Sequence, residues 1–590
     1  MKLSDYIIHY LREKNVRHVF LITGGAIAHV VDSFRNVKDI SYVCHQHEQA
    51  AAMAAEAYSR LSGTVGVAMA TSGPGATNLI TGICCAWFDS IPALYITGQV
   101  NTNEQKGTSA VRQVGFQETD IVEMVRPVTK YAKMVTRSED IAYELDKALS
   151  IAYEGRPGPV LLDIPMNVQR AEVDPKKLRR FANKHKVVAI GAGTEKKIIQ
   201  LMRLISQSRR PVIIAGGGIG LADARKELQA VLDKTRFPVV TSWSGFDTVP
   251  WDYPRHVGQF GVYGSRAGNF AVETADLILS IGSRLDTRQT GGKPETFAPH
   301  AKKIMVDIDK AELGKRRGYT PDIEICMDAK LFLRRFVALL KETALPKVDL
   351  WVTKTQEWKK NYPTVLSAYY DQKGSVNSYV FAKMLSDLTP TPAVIIPDNG
   401  GNLTWTMQSF QLKRGQRLFS AFGNSPMGYS FPASIGAAYA VAGRMPVIAI
   451  IGDGSFQMNI QELQTVFYNK IPVKVFVLNN HSYGIIKQFQ DTLFEGRHEA
   501  SSPEKGYAPP DFEKVVRAYG LKIVTIRNHK ELASKIKEVL AEKGPVFCNV
   551  EIASEQRLIP KLEFGNPIER MSPELPPAEF DAVMGVMKEI

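Results

Sequence analysis

Gly452-Asp453-Gly454-Ser455 stands where an apolar run, PVIAII, gives way to a helical pattern, and Asn479-Asn480 closes the next apolar run, PVKVFVLNN. Glycines at a strand-to-helix turn let the backbone approach an anion, and the start of a helix favours negative charge. The glycines of this Gly452-to-Ser455 turn therefore read as a cradle for a diphosphate, which calls for a hard divalent cation. Asp453 and Asn480, 27 positions apart, would emerge side by side from neighbouring parallel strands and offer oxygen ligands, with the backbone carbonyl of Ser482 as a third. A lone Gly-Asp-Gly turn is often a plain loop. The asparagine pair at a second strand end makes the set specific.

A second candidate lies near the N-terminus. His45-Gln46-His47-Glu48 ends the apolar run ISYVC and opens an alanine-rich helical stretch, so Glu48 would project from a strand end at the ligand edge of a sheet. A carboxyl in apolar surroundings keeps its proton near neutral pH and can donate it to a ring nitrogen. A glutamate at a helix start also serves simply to complement the helix dipole. His45 and His47 have a metal-ligand reading too, although no further ligand cluster accompanies them.

The elements that must position these residues alternate along the whole chain. Short β-branched runs such as VGVAMA, PALYITGQ and PVIIAGGG are interleaved with longer helical patterns, which predicts α/β architecture with doubly wound parallel sheets. At roughly 150 residues per domain, a chain of 590 residues holds several. Charged, less apolar stretches near 172–197 and 341–373 read as linkers. They delimit domains at 1–172, 190–342 and 365–555, with a proline-rich tail at 556–590 that either covers a site as a lid or packs on the surface. The first and third domains share a pattern: a glycine turn, a helix, Ile-Pro and a strand, with 19 residues from Gly73 to Pro92 and 20 from Gly452 to Pro472. One α/β unit used twice accounts for this, as would two unrelated strand-turn-helix units.

The GDG motif followed at this interval by NN resembles the thiamine-diphosphate enzyme superfamily. HEQAAAMAAEAYSR, TSGPGATNLITGI and WFDSIPALYITGQV are similar to acetolactate synthases and their relatives. The resemblance implies a pyrimidine-binding first domain, a middle domain and a diphosphate-binding third domain. It implies Mg²⁺ on Asp453, Asn480 and the Ser482 carbonyl, and thiamine diphosphate activated by Glu48, which in that family serves the opposite subunit. A homodimer would then be the smallest active unit, alone or within a homotetramer. Met427 matches the apolar residue that props the cofactor in its bent form. Phe116 and Gln117 match residues beside the thiazolium, and Arg284 an acceptor-binding arginine, whose alternative is a surface ion pair. HVGQFGVYGSRAGNFAV and DLILSIGSRLDTRQTGG resemble segments that hold FAD, which in that family does no net redox work. Without a flavin, the glycines of PVIIAGGGIG would simply make tight turns.

The implied reaction is decarboxylation of pyruvate and transfer of the two-carbon unit to an acceptor ketone. Departures from the family pattern concern the acceptor: Phe489 stands where tryptophan is usual, Met166 where lysine is usual, and the segment from Asn399 to Leu403 replaces a VGQHQ-like stretch. These changes alter the volume and charge of an acceptor pocket. They suit a nucleotide-linked ketosugar, with acetolactate synthase proper as the alternative; a flavin-dependent pyruvate oxidase and a non-catalytic homologue are further readings. The net charge of +13 is dispersed, which fits anionic small molecules rather than nucleic acid. No apolar stretch is long enough to span a membrane, and the amphipathic N-terminus is unlike a signal peptide. A cytoplasmic enzyme is expected. Five scattered cysteines predict free thiols.

Overall fold

The computed structural model describes residues 1–182, 190–315 and 317–590. Three six-stranded, all-parallel sheets organise the chain. The first contains β1 (His18–Leu21), β2 (Ser41–Cys44), β3 (Gly66–Ala70), β4 (Ala93–Gln99), β5 (Tyr131–Met134) and β6 (Val160–Pro165). The middle sheet contains β7 (Pro211–Ala215), β8 (Val239–Thr241), β9 (His256–Gln259), β10 (Leu277–Ile281), β11 (Lys302–Asp307) and β12 (Ile323–Cys326). The third contains β13 (Val394–Pro397), β14 (Arg417–Leu418), β15 (Val447–Gly452), β16 (Val473–Asn479), β17 (Lys522–Ile526) and β18 (Val546–Glu551).

Successive residues of these strands serve opposite cores. In β15 and β16, Ile448, Ile450, Phe476 and Leu478 pack on one face, while Ala449, Ile451, Val475 and Val477 pack on the other. Burial on both faces is why these strands are uninterrupted apolar runs rather than alternating ones.

Strand order carries the internal repeat. The first sheet runs 2-1-3-4-6-5, and the third, counted from its own first strand, runs the same way. Equivalent helices of the two units, α1 (Glu48–Ser62) and α2 (Ser430–Val441), pack against each other. Their crossing is close because a Cβ on Gly436 would lie 1.9 Å from the Ala54 carbonyl oxygen. Beside it the buried Glu56 accepts hydrogen bonds from Tyr429 and from Arg60 Nε at 2.7 Å, and Arg60 reaches Asp89 at 2.8 Å.

The middle sheet differs, running 3-2-1-4-5-6 from its own first strand. The stretch read as a second linker contains a helix, Asp349–Asn361, that buries Trp351 and Trp358 against the middle domain. The first linker lies partly outside the described residues. The tail is ordered: β19 (Lys561–Leu562) pairs with β20 (Met571–Ser572), and the helix Pro577–Glu589 buries Val583 and Val586 in the middle-domain core. Among the described residues no helix is long and apolar enough to cross a membrane, and all five cysteines are free thiols.

Candidate active site

The register of β15 with β16 pairs Gly452 with Leu478, so Asp453 and Asn480 leave the carboxyl edge of the third sheet side by side. Asp453 is buried. Its Oδ1 accepts from Gly454 N at 2.6 Å and from the Tyr507 hydroxyl at 3.0 Å. Its Oδ2 is buried with no partner, and burial pushes the carboxyl up to about 6. Asn480 donates from Nδ2 to Ser482 Oγ at 2.9 Å, and Ser455 Oγ donates to the Asn399 carbonyl at 3.3 Å. Gly454 also has a packing role. A Cβ there would meet the Tyr483 ring at 2.3 Å, so an aromatic side chain fills the space the glycine leaves.

Met427 sits 36% exposed on a turn fixed from both sides by the end of β13. Asp398 accepts from Gly428 N at 3.0 Å and Ser430 N at 2.6 Å, and Asn399 donates to the Pro426 carbonyl at 2.8 Å. Burial raises the Asp398 carboxyl to about 6, against the pull of those amides.

At the equivalent edge of the first sheet, Glu48 opens α1 and accepts from Asn78 Nδ2 at 2.9 Å. Its Oε1 lies 3.3 Å from where a Cβ on Gly75 would stand, so the glycine turn leaves room beside the carboxylate. Gln117 packs on the same turn, its Cβ 2.9 Å from the position of a Cβ on Gly73, whereas Phe116 is 86% exposed. His47 caps α1 by accepting from Gln49 N at 3.1 Å, and His45 Nδ1 pairs with Glu462 at 2.8 Å. These bonds engage one nitrogen of each ring and leave His45 Nε2 buried without a partner, and no cluster of three or more His, Cys, Asp or Glu suited to a metal occurs among the described residues. The metal-ligand reading of the two histidines is therefore set aside.

The predicted residues thus fall into two groups. Asp453, Gly454, Ser455, Asn480, Ser482 and Met427 gather on the third sheet, Glu48 and Gln117 on the first. Among the described residues no hydrogen bond joins one group to the other.

Arg284 and Phe489 are not brought together. Arg284 pairs with Asp286 at 3.2 Å and lines a cavity of about 670 Å³ where the three domains meet, with Gly217, Gly218, Trp243 and Asp307. Phe489 is 39% exposed on the helix Gly484–Leu493, edge-on to Phe564 of the tail at 6.0 Å between ring centroids. The tail is latched to that helix by Gln488, which donates to the Leu558 carbonyl at 3.2 Å and accepts from Leu558 N at 2.8 Å.

Comparison with known proteins matches the chain three times to thiamine pyrophosphate enzyme families: the N-terminal TPP binding domain over residues 1–124, the central domain over 198–336 and the C-terminal TPP binding domain over 398–550. Relatives span nearly the whole length. They include "Acetolactate synthase 1, chloroplastic" of Zea mays, 34% identical over 97% of this chain and 88% of the relative. The "Acetolactate synthase large subunit" of Lactococcus lactis is 34% identical over 95% and 94%. The "Probable acetolactate synthase large subunit" of Methanocaldococcus jannaschii is 35% identical over 99% and 98%. The chain belongs to the thiamine-diphosphate-dependent, acetolactate-synthase-like enzymes.

For an enzyme of this family, the third-domain edge suits a Mg²⁺ diphosphate. Asp453 Oδ2 is a buried carboxylate oxygen with no protein partner, and Asn480 and Ser482 add neutral oxygens beside it. One carboxylate alone is a poor Mg²⁺ cage, so further ligands must come from phosphate oxygens, as is usual for this ion. The middle domain suits a dinucleotide. The order 3-2-1-4-5-6 places a switch point between β7 and β10, where ligands of such sheets bind. Gly216 and Gly218 stand there against Gly282, a Cβ on Gly216 coming 2.1 Å from the Gly282 carbonyl. The glycines therefore also make the tight turns read as their alternative role.

Sequence reasoning missed Asp398 and Tyr507. Asp398-Asn399 ends the apolar run VIIP much as Asn479-Asn480 ends its own, and that parallel was the available signal. Tyr507 carried none, since it joins Asp453 only through a loop 54 residues downstream.

Proposed function

We propose that this enzyme decarboxylates pyruvate and transfers the two-carbon unit to an acceptor carbonyl. The observation that carries the reading is the unpartnered Asp453 Oδ2 at one sheet edge, together with Glu48 at the equivalent edge of the repeated unit. Thiamine diphosphate, when bound, supplies the electron sink that lets a 2-oxo acid lose carbon dioxide. Asp453, Asn480 and the Ser482 carbonyl would hold its Mg²⁺, with Gly452, Gly454 and Ser455 alongside the diphosphate. Met427 supports the pyrimidine end. Glu48 would offer its carboxyl to a pyrimidine ring nitrogen, and Gln117 and Phe116 would stand beside the thiazolium. Two half-sites on one chain, with Phe116 and Met427 exposed, fit a homodimer in which Glu48 serves the opposite subunit. The middle-domain crevice, with Gly216 and Gly218 at its floor, would hold FAD as a non-redox group, and Arg284 would meet the acceptor's anionic part.

The acceptor is a nucleotide-linked ketosugar on the reading that Phe489, Met166 and residues 399–403 favour, because a smaller ring and a missing cation reshape the acceptor side. The printed names of the relatives favour a second reading, a second 2-oxo acid as acceptor. Product identification separates them. Enzyme supplied with thiamine diphosphate, Mg²⁺ and FAD is given pyruvate alone, then pyruvate with a ketosugar panel. Brisk acetolactate formation unaffected by any sugar would select the second reading.

A further inference from the structure

Glu462 belongs to no motif that the proposed chemistry uses, yet its side chain is wholly buried at the meeting of the first and third domains. It opens the helix Glu462–Asn469, soon after the helix Asp453–Met458 that begins with the metal-side residues. Its carboxylate reaches into the first domain. Oε1 accepts from Gln46 N at 2.9 Å and from His47 N at 3.1 Å. Oε2 accepts from His45 Nδ1 at 2.8 Å and from its own helix's Thr465 Oγ1 at 2.7 Å. Thr465 Oγ1 in turn lies 3.4 Å from the Cys44 carbonyl.

Those four bonds use the acceptor capacity of both oxygens, and three of them fall on the residues immediately before Glu48. Backbone N–H groups at a strand-to-helix turn otherwise lack partners, and burying them unpaired is costly. A carboxylate that takes two of them at once fixes where the turn runs and hence where the Glu48 side chain departs. Burial alone would raise the Glu462 carboxyl, but His45 and the surrounding donors outweigh it and hold it below the ordinary range. The group is therefore an ionised, fully partnered anchor.

We propose that Glu462 is the positioning residue for Glu48, fixing the His45–His47 turn from the third domain so that the proton-donating carboxyl is held at its working position. The inference rests on the reading of Glu48 above. A neutral amide would present N–H to donors on at least one side, and an aspartate is one methylene too short to serve both. Either change releases the turn while leaving Glu48 itself in place.

The test compares Glu462→Gln, Glu462→Asp and the milder Thr465→Val with Glu48→Gln and the parent. Three quantities are read: backbone amide exchange of residues 44–50 without cofactor, hydrogen–deuterium exchange at the thiazolium C2 of bound thiamine diphosphate, and kcat against KM. Glu462→Gln and Glu462→Asp should expose the Gln46 and His47 amides and slow both C2 exchange and kcat by about 10- to 100-fold, the scale of small misplacements in active sites. KM and cofactor affinity should move little. Thr465→Val should show a smaller loss with the same split. Parent-level C2 exchange in folded Glu462 variants would overturn the proposal. So would losses in Thr465→Val that track melting temperature alone, which also covers the case in which the Glu462 variants fail to fold. If Glu48→Gln itself exchanges C2 at the parent rate, the reading of Glu48 falls first. If Glu48→Gln is slow and folded Glu462 variants are not, only the positioning role falls.

Discussion

A Cβ on Gly436 would lie 1.9 Å from the carbonyl oxygen of Ala54, so the two helices that join the repeated units touch backbone to backbone. The alanine-rich face of α1 is what makes that approach available, and it aligns the first-domain edge against the third. Gly436→Ala forces the helices apart; overpacking of this kind costs about 1–3 kcal/mol. Denaturant melts should show that loss, and a variant as stable as the parent would mean that the contact relaxes freely.

Asp398 is predicted to hold the Met427 turn. Asp398→Ala strands the amides of Gly428 and Ser430, each at about 1–3 kcal/mol when buried and unpaired. Cofactor affinity, read by fluorescence titration, should fall along with stability. Asp398→Asn, which keeps one acceptor, should lose less.

Asp453→Asn should weaken Mg²⁺ and thiamine diphosphate binding by at least about tenfold, since it removes a buried, unpartnered carboxylate oxygen suited to the ion. The apo protein should melt no lower than the parent, because the substitution also removes a buried carboxyl with an unpaired oxygen. Calorimetric titration of both proteins gives the comparison.

Phe489→Trp restores an indole where the family usually carries one. Relative kcat/KM for a second 2-oxo acid against a ketosugar should shift toward the 2-oxo acid by about 10-fold or more, the scale of pocket-size discrimination. An unchanged ratio would detach Phe489 from acceptor choice.

Asp163 is wholly buried between Thr97 Oγ1 at 2.7 Å and Gln99 Nε2 at 3.0 Å, and burial raises its carboxyl to about 7. The folded state therefore keeps a proton that the unfolded chain has already lost, and stability falls as pH rises from about 4 to about 7. The slope is at most about 1.4 kcal/mol per pH unit. Asp163→Asn removes this slope, so its stability relative to the parent should rise between pH 5 and pH 7.5 in paired melts.

The three parallel sheets, the repeat and the edge residues Glu48, Asp453 and Asn480 were legible in the sequence. Each is a local pattern: apolar runs of strand length, helical periods between them and polar residues where a run stops. The packing of Tyr483 against Gly454 shows the limit of such reading, because Tyr483 lies on another strand's loop. The partners of Asp398 and Glu462 were illegible for the same reason. A buried carboxylate's role depends on which amides face it, and those lie 30 and more positions away in Ser430, Gln46 and His47.

What the sequence by itself determined, then, is the fold class and the kind of chemistry available at the carboxyl ends of the strands. Only the tertiary structure decided that Glu48 and Asp453 stand at the edges of separate sheets, that the middle sheet runs 3-2-1-4-5-6, and that the tail is latched by Gln488. The physical reason is that strand order and helix crossing are set by burial over long sequence separations, where one close contact such as Ala54 with Gly436 selects among arrangements that local patterns leave equivalent.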